Sequence, residues 1–309
     1  MSGVKKIKIK PEDDGIRLNR WFLREYPALS LSRLQKLLRT KQIKVDGSRA
    51  ETSTRLVAGQ EIRLPPLDNE KAEKKESILS NKDVDFITSM IIYKDSNIIV
   101  LNKPSGLAVQ GGTNTTKHID GLLEALKFEN NEKPKLVHRI DKDTSGILLL
   151  ARNRKYADIL TKAFREHALQ KTYLALVRGC PDKFEGTINF PLEKAGERMQ
   201  VVKGGQKAIT EYKVLDNAAK KYTLVEASPL TGRTHQIRVH LEAIGTPILG
   251  DDKYFGNARL RLNEIADKLY LHAYKIDLSA IYGKKTIIKA ELPKHFSEAC
   301  KFFGLEVSK

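Results

Sequence analysis

Near the N-terminus Leu18, Trp21, Phe22 and Tyr26 recur at helical spacing, and Pro27 stops the pattern. Ser32-Arg33-Leu34-Gln35 then sets a hydroxyl three residues before a glutamine, which predicts a capping box opening a second helix. Leu34, Leu37 and Leu38 give that helix an apolar face, while Arg33, Lys36, Arg39 and Lys41 fill the other side. Ile43 and Val45 alternate with lysine before Asp46-Gly47, a hairpin signal, and Glu61–Leu64 reads as a last strand before Pro65-Pro66. Residues 1–66 are therefore expected to form a small α/β unit of two short helices and a small sheet. Residues 67–86, LDNEKAEKKESILSNKDVDF, have almost no apolar periodicity and read as a flexible linker.

Residues 87–309 carry a different pattern. MIIY and IIVLNKP flank KDSN, which predicts a hairpin. A helix is expected over 154–169, with Ile159, Leu160, Ala163 and Phe164 inward, followed by a strand at 171–179. Further strands are expected at 209–215, 222–227, 269–277 and 286–291, with a helix at 233–244. Runs of strands with a few helices packed on them predict an α+β domain with a mixed, mainly antiparallel sheet.

Charge changes the picture more than composition does. The chain has 55 Lys and Arg against 38 Asp and Glu, a net charge of +17. Residues 1–66 hold fifteen Lys and Arg against seven Asp and Glu, so about half of the excess lies in about a fifth of the chain. A basic balance of this size points to a polyanionic partner, nucleic acid before a membrane surface. Cys180 and Cys300 lie far apart with no metal-ligand spacing and read as free thiols of a reducing compartment. The N-terminal MSGVKKIKIKPEDDG has no apolar signal region, and runs such as IIVL and ILLLA are too short to span a bilayer, so a cytoplasmic protein is expected.

One polar insert stands out. HRIDKDTSG (138–146) interrupts an apolar stretch that ends at Leu136-Val137 and resumes at Ile147–Leu150. A tight polar turn between buried runs can hold a functional group at a sheet edge. From the residues alone, Asp141 reads equally as a catalytic carboxylate or as a structural cap of the Thr144-Ser145-Gly146 turn. Three further stretches accompany it: LNKPSG (101–106), KTYLALVRG (171–179) and TGRTHQIRVHLEAIGTPILGD (231–251). These four motifs, in this order, resemble the signature of the RluA-type pseudouridine synthases, over about residues 89–295. Residues 14–64 resemble the S-four-type RNA-binding domain.

The resemblance implies that Asp141 is the catalytic aspartate, leaving Asp143 as the better turn cap. It implies that Arg238 pairs with that carboxylate and that Tyr173 stacks on the target uracil, a role favoured over taking the C5 proton because a phenol of pKa about 10 is a poor base. Arg139 matches the residue that fills the gap left by the extruded uridine, with its planar guanidinium in place of a base. His138, Lys142 and Arg233 are expected on the RNA-facing surface, and Arg33, Lys36 and Arg39 against phosphates. His235 and His240, five positions apart, point about 140° away from each other on a helix and share no ligand face, so with His138 and His272 they read as hydrogen-bonded groups and not as metal ligands.

Pseudouridine formation breaks and remakes one glycosidic bond without moving electrons or a group off the molecule, so neither metal nor cofactor is expected. Residues 192–214 and 251–257 resemble the RluC-like group more than the RluD-like group. The expected substrate is 23S ribosomal RNA, acted on by a monomer. The competing readings are an RluD-like target set, a non-catalytic rRNA-binding assembly factor, and a nucleoside or glycoside hydrolase with Asp143 as second carboxylate.

Overall fold

A lysine-rich strand, β1 (Lys5–Lys8), opens the structure, a computed structural model that describes residues 4–26, 29–67, 79–111, 117–130, 132–255 and 264–307. The chain divides into two units, Met1–Ile78 and Leu79–Lys309. In the first, α1 (Leu18–Glu25) and α2 (Leu31–Arg39) follow β1, and β2 (Lys44–Val45) and β3 (Glu61–Leu64) complete an antiparallel sheet in the order β1-β3-β2. Leu18, Trp21, Phe22, Leu34, Leu38, Ile43 and Ile62 form its core. The cap of α2 is Ser30, not Ser32: the Ser30 hydroxyl accepts a hydrogen bond from Arg33 N at 3.2 Å, because Ser30 is the last residue in extended conformation. Arg33, Lys36 and Arg39 are all exposed, on the side of α2 away from Leu34 and Leu38.

Part of the expected linker is helical. Residues 68–78 lie outside the described residues, but 81–86 belong to a helix, α3 (Asn81–Thr88), capped by the Ser80 hydroxyl. Its charged residues form one face of an amphipathic helix whose Ile87 is buried against Leu123 and Leu126.

Next come β4 (Ile91–Lys94) and β5 (Ile98–Lys103), the predicted hairpin, closed by the Asp95 carboxylate accepting from Asn97 N and Ile98 N. A short α4 (Ile119–Leu122) precedes β6 (Lys135–Leu136), β7 (Ser145–Ala151), α5 (Arg154–Arg165) and β8 (Gln170–Arg178). Then follow β9 (Glu185–Ile188), a hairpin of β10 (Leu192–Ala195) and β11 (Arg198–Val201), β12 (Thr210–Ala218) and β13 (Tyr222–Pro229). The chain ends through α6 (Gln236–Ala243), β14 (Leu271–Asp277), α7 (Ser279–Tyr282), β15 (Ile287–Lys289) and α8 (Lys294–Phe303).

The large sheet runs β4-β5-β7-β14-β8-β13-β12-β9, with β6 added on β7 and β15 on β14. Every pair is antiparallel except β7 with β14, so the sheet is mixed and mainly antiparallel, as the sequence predicts. β7 is buried along its whole length because both faces are covered. Ile147 and Leu149 pack with Leu160 of α5, while Leu148 and Leu150 pack with Ile119 and Leu122 of α4.

The parallel junction explains the glycine of the TSG motif. Gly146 has φ +103°, and a Cβ there would lie 2.3 Å from the backbone oxygen of Ala273 on β14. Only glycine allows the two strands to approach so closely. Beside it, the Ser145 hydroxyl lies 2.9 Å from His272 Nδ1, and His272 Nε2 lies 3.3 Å from Ala290 O. Gly146→Ala is expected to cost more than about 4 kcal/mol in urea denaturation, since neither backbone can yield.

Two predicted helices are shorter than the periodicity suggests. α5 stops at Arg165, and His167 turns the chain with φ +56° toward β8. The helix expected from 233 begins only at Gln236, because the Gln236 side chain folds the preceding loop onto itself. Its Oε1 accepts from Thr231 Oγ1 at 2.7 Å and from Arg233 N at 3.0 Å, and His235 takes φ +53°.

Candidate active site

The loop from Val137 to Thr144, between β6 and β7, carries Asp141 into a cleft of about 590 Å³. That is ample room for a nucleotide. The Asp141 side chain is 24% exposed. Its Oδ2 lies 3.4 Å from Arg238 Nη1 on α6 and 3.8 Å from His235 Nε2 at the start of that helix. Tyr173 of β8, held between Ala227 of β13 and Ala273 of β14, lines the same cleft. Burial, with the Asp141 charge adding to it, pushes the Tyr173 phenol well above its ordinary pKa. The phenol is thus neutral at neutral pH, which suits a stacking surface and not a proton acceptor.

The cationic residues gather around the carboxylate. Arg139, Arg165, Lys171 and Arg233 all line the cleft, a rim suited to a polyanion. Arg139 is exposed at its mouth, and Arg233 Nε donates to Lys207 O at 3.0 Å. Lys142 is exposed and is not among the residues that line the cleft; its carbonyl, not its charge, is tied into the site.

His138 also lines the cleft, and its ring is tied into the fold. Its Nε2 accepts a hydrogen bond from Leu149 N at 2.8 Å, and its ring stacks on Phe164 with centroids 4.3 Å apart. Burial first, then Lys171, pushes its pKa down to about 3. It is a neutral strut that fastens the Asp141 loop to β7. His240 is similarly tied, to Thr210 Oγ1 and Phe190 O. Among the described residues no cluster of three His, Cys, Asp or Glu is arranged to hold a metal.

Residues 97–243 match the family model described as RNA pseudouridylate synthase. Two curated relatives, both called ribosomal large subunit pseudouridine synthase C, cover nearly the whole chain. The one from Rickettsia bellii is 38% identical over 292 residues, 91% of this chain and 96% of the relative. The one from Salmonella typhimurium is 37% identical over 301 residues, 94% of this chain and 93% of the relative. The chain belongs to the RluA-type pseudouridine synthases. A solved structure of human RNA pseudouridylate synthase domain containing 4 superposes with a TM-score of 0.64, at 29% identity, covering 73% of this chain and 97% of that one.

Three parts of the synthase site carry no assigned role in the sequence reading. The first is Asp251, fully buried, which holds Arg238 through two hydrogen bonds of 2.7 Å, to Nε and Nη2. Asp251 is itself fixed by Lys253 N and Tyr254 N, which both donate to Oδ1. Arg238 is therefore aimed by Asp251, and it presents its remaining edge to Asp141. The second is Tyr254, whose ring lies 5.1 Å from the Arg238 guanidinium. The third is Lys103 at the end of β5, which has no exposed surface. Its Nζ donates to the carbonyls of Pro104, Leu107 and Lys142 at 2.8–2.9 Å.

Lys103 gives LNKPSG its meaning. With Gly106 N donating to Lys142 O and the Ser105 hydroxyl to Asp143 O, the motif clasps the backbone on the far side of Asp141. Burial pushes the Lys103 amine down to about 7, against the opposing pull of Asp143 and Asp141. Its three carbonyl acceptors call for three N–H donors, which only the ammonium supplies. Lys103→Met is expected to cost about 2–4 kcal/mol in urea denaturation, because three buried carbonyls lose their donor together. The visible signal for this lysine is a charge embedded in the apolar run of β5; for Asp251 it is the Gly-Asp pair ending the fourth motif.

Proposed function

We propose that this synthase converts uridines of large-subunit ribosomal RNA to pseudouridines, with Asp141 as its catalytic carboxylate. The observation that carries the reading is the placement of Asp141 in the cleft beside Tyr173 and a guanidinium whose direction is fixed by a second, buried carboxylate. The target uridine swings out of its stack into the cleft, and Arg139 at the mouth takes the vacated place. Asp141 acts on the detached or detaching base–sugar pair: the C1′–N1 bond breaks, the uracil turns over on Tyr173, C5 bonds to C1′, the C5 proton leaves to solvent and N1 takes up a proton in its place. Arg238 sets a positive charge 3.4 Å from the carboxylate while the pocket is closed to water. The isomerisation is balanced in electrons and atoms, so we propose no metal and no organic cofactor for it.

The relatives named for the large ribosomal subunit support that RNA as substrate. The basic face of α2, with Arg33, Lys36 and Arg39, supports reading residues 1–66 as an S-four-type module that grips RNA by its phosphates. No helix among the described residues is long and apolar enough to cross a membrane. We place the enzyme with its RNA in the cytoplasm, acting as a monomer. The test is carbodiimide-adduct primer extension on unmodified 23S and 16S transcripts and a tRNA pool after incubation with the protein. New stops confined to 23S RNA are expected. Stops confined to tRNA or 16S RNA would overturn the substrate reading.

A further inference from the structure

A chain of polar groups runs from the β10–β11 hairpin to the catalytic carboxylate. Met199 N donates to Tyr254 Oη at 2.9 Å. Tyr254 Oη lies 2.7 Å from His235 Nδ1, and His235 Nε2 faces Asp141 Oδ2 at 3.8 Å. An amide can only donate, so Tyr254 Oη accepts from Met199 and has its own hydrogen left to offer to His235 Nδ1. A neutral imidazole that accepts at Nδ1 carries its hydrogen on Nε2. Burial, reinforced by Arg238 and Lys253 and opposed by Asp141 and Asp251, lowers the His235 pKa, so the neutral ring is the form present at neutral pH. The imidazole is also held sideways: its ring meets Tyr254 edge-on at 74°, and its backbone sits at φ +53° ahead of α6.

We propose that His235 is a positioning residue for the reaction, whose Nε2–H, fixed by Tyr254, holds Oδ2 of Asp141 and so presents Oδ1 to the nucleotide. Arg238 Nη1 meets the same oxygen at 3.4 Å, so both donors act on one side of the carboxylate and leave the other free. At 3.8 Å the contact from His235 is longer than a hydrogen bond, and the proposed role has it shorten around a bound nucleotide. This inference rests on Asp141 being the catalytic carboxylate.

Two readouts test it. In protein labelled with ¹⁵N-histidine, with the His235 signals assigned by their loss in His235→Gln, wild-type His235 is expected as the neutral Nε2–H tautomer, and Tyr254→Phe is expected to shift it toward Nδ1–H. In single-turnover kinetics, His235→Leu is expected to lower the rate about 10- to 100-fold, the worth of one hydrogen bond to a charged group, with KM for RNA unchanged. His235→Gln, which restores an N–H donor near the Nε2 position, is expected to recover most of the rate. An Nδ1–H tautomer in the wild type would overturn the proposal, and so would equal rates for the Leu and Gln variants. The tautomer is read without turnover, so it stands apart from the assignment of Asp141, which fails separately if Asp141→Asn remains active.

Discussion

Asp141→Asn is expected to lower the single-turnover rate of pseudouridine formation by at least about 10⁴-fold, while changing RNA affinity by no more than about twofold. The amide has the shape of the carboxylate but neither its charge nor its basicity. The fold should barely notice: Arg238 keeps both of its hydrogen bonds to Asp251, so no buried charge is left alone. The Asp141 side chain, at 24% exposure, is not part of the hydrophobic core. Rapid-quench kinetics with a filter-binding control separate the two effects. A variant that turns over at the wild-type rate would remove Asp141 from the chemistry.

Arg238→Met is expected to damage both stability and activity, and for different reasons. Removing the guanidinium leaves Asp251 buried with its partner gone, which costs about 3–5 kcal/mol. It also removes the positive charge 3.4 Å from Asp141. The double variant Arg238→Met with Asp251→Asn should regain most of the lost stability, because no uncompensated charge remains, yet stay inactive. Arg238→Lys should fall short in both respects, since an ammonium cannot fork across the two Asp251 oxygens and still reach Asp141. Urea denaturation of the four proteins alongside single-turnover rates checks this. Restored activity in the double variant would mean that Arg238 matters only as a partner of Asp251.

Much of the architecture could be read from alternation and helical spacing. The β4–β5 hairpin, α5, and strands β8, β12, β13 and β14 lie close to where the apolar pattern predicts them. The pattern fails where tertiary contacts override it. Gln236 pulls the loop before α6 out of helical conformation, and Ser30 caps α2 because the chain turns there and not two residues later. The parallel pairing of β7 with β14 joins residues more than a hundred positions apart, and periodicity carries no register over such a distance.

The site divides in the same way. Asp141, Tyr173, Arg139 and Arg238 stand in long, specific motifs and are brought to one cleft. His138 stands in the same motif but serves to brace the loop, which its residue type alone does not reveal. Asp251, Lys103 and Tyr254 act by fixing other groups, through contacts that only the folded chain creates.

The most direct test of uridine isomerisation uses large-subunit rRNA transcript labelled with tritium at C5 of uridine. Released tritium is counted while the digested RNA is analysed for pseudouridine and for free uracil. One tritium is expected to be released for each pseudouridine formed, with no free uracil. Free uracil in place of pseudouridine would make the enzyme a hydrolase, and absence of both from RNA that it binds tightly would contradict catalysis on this substrate altogether.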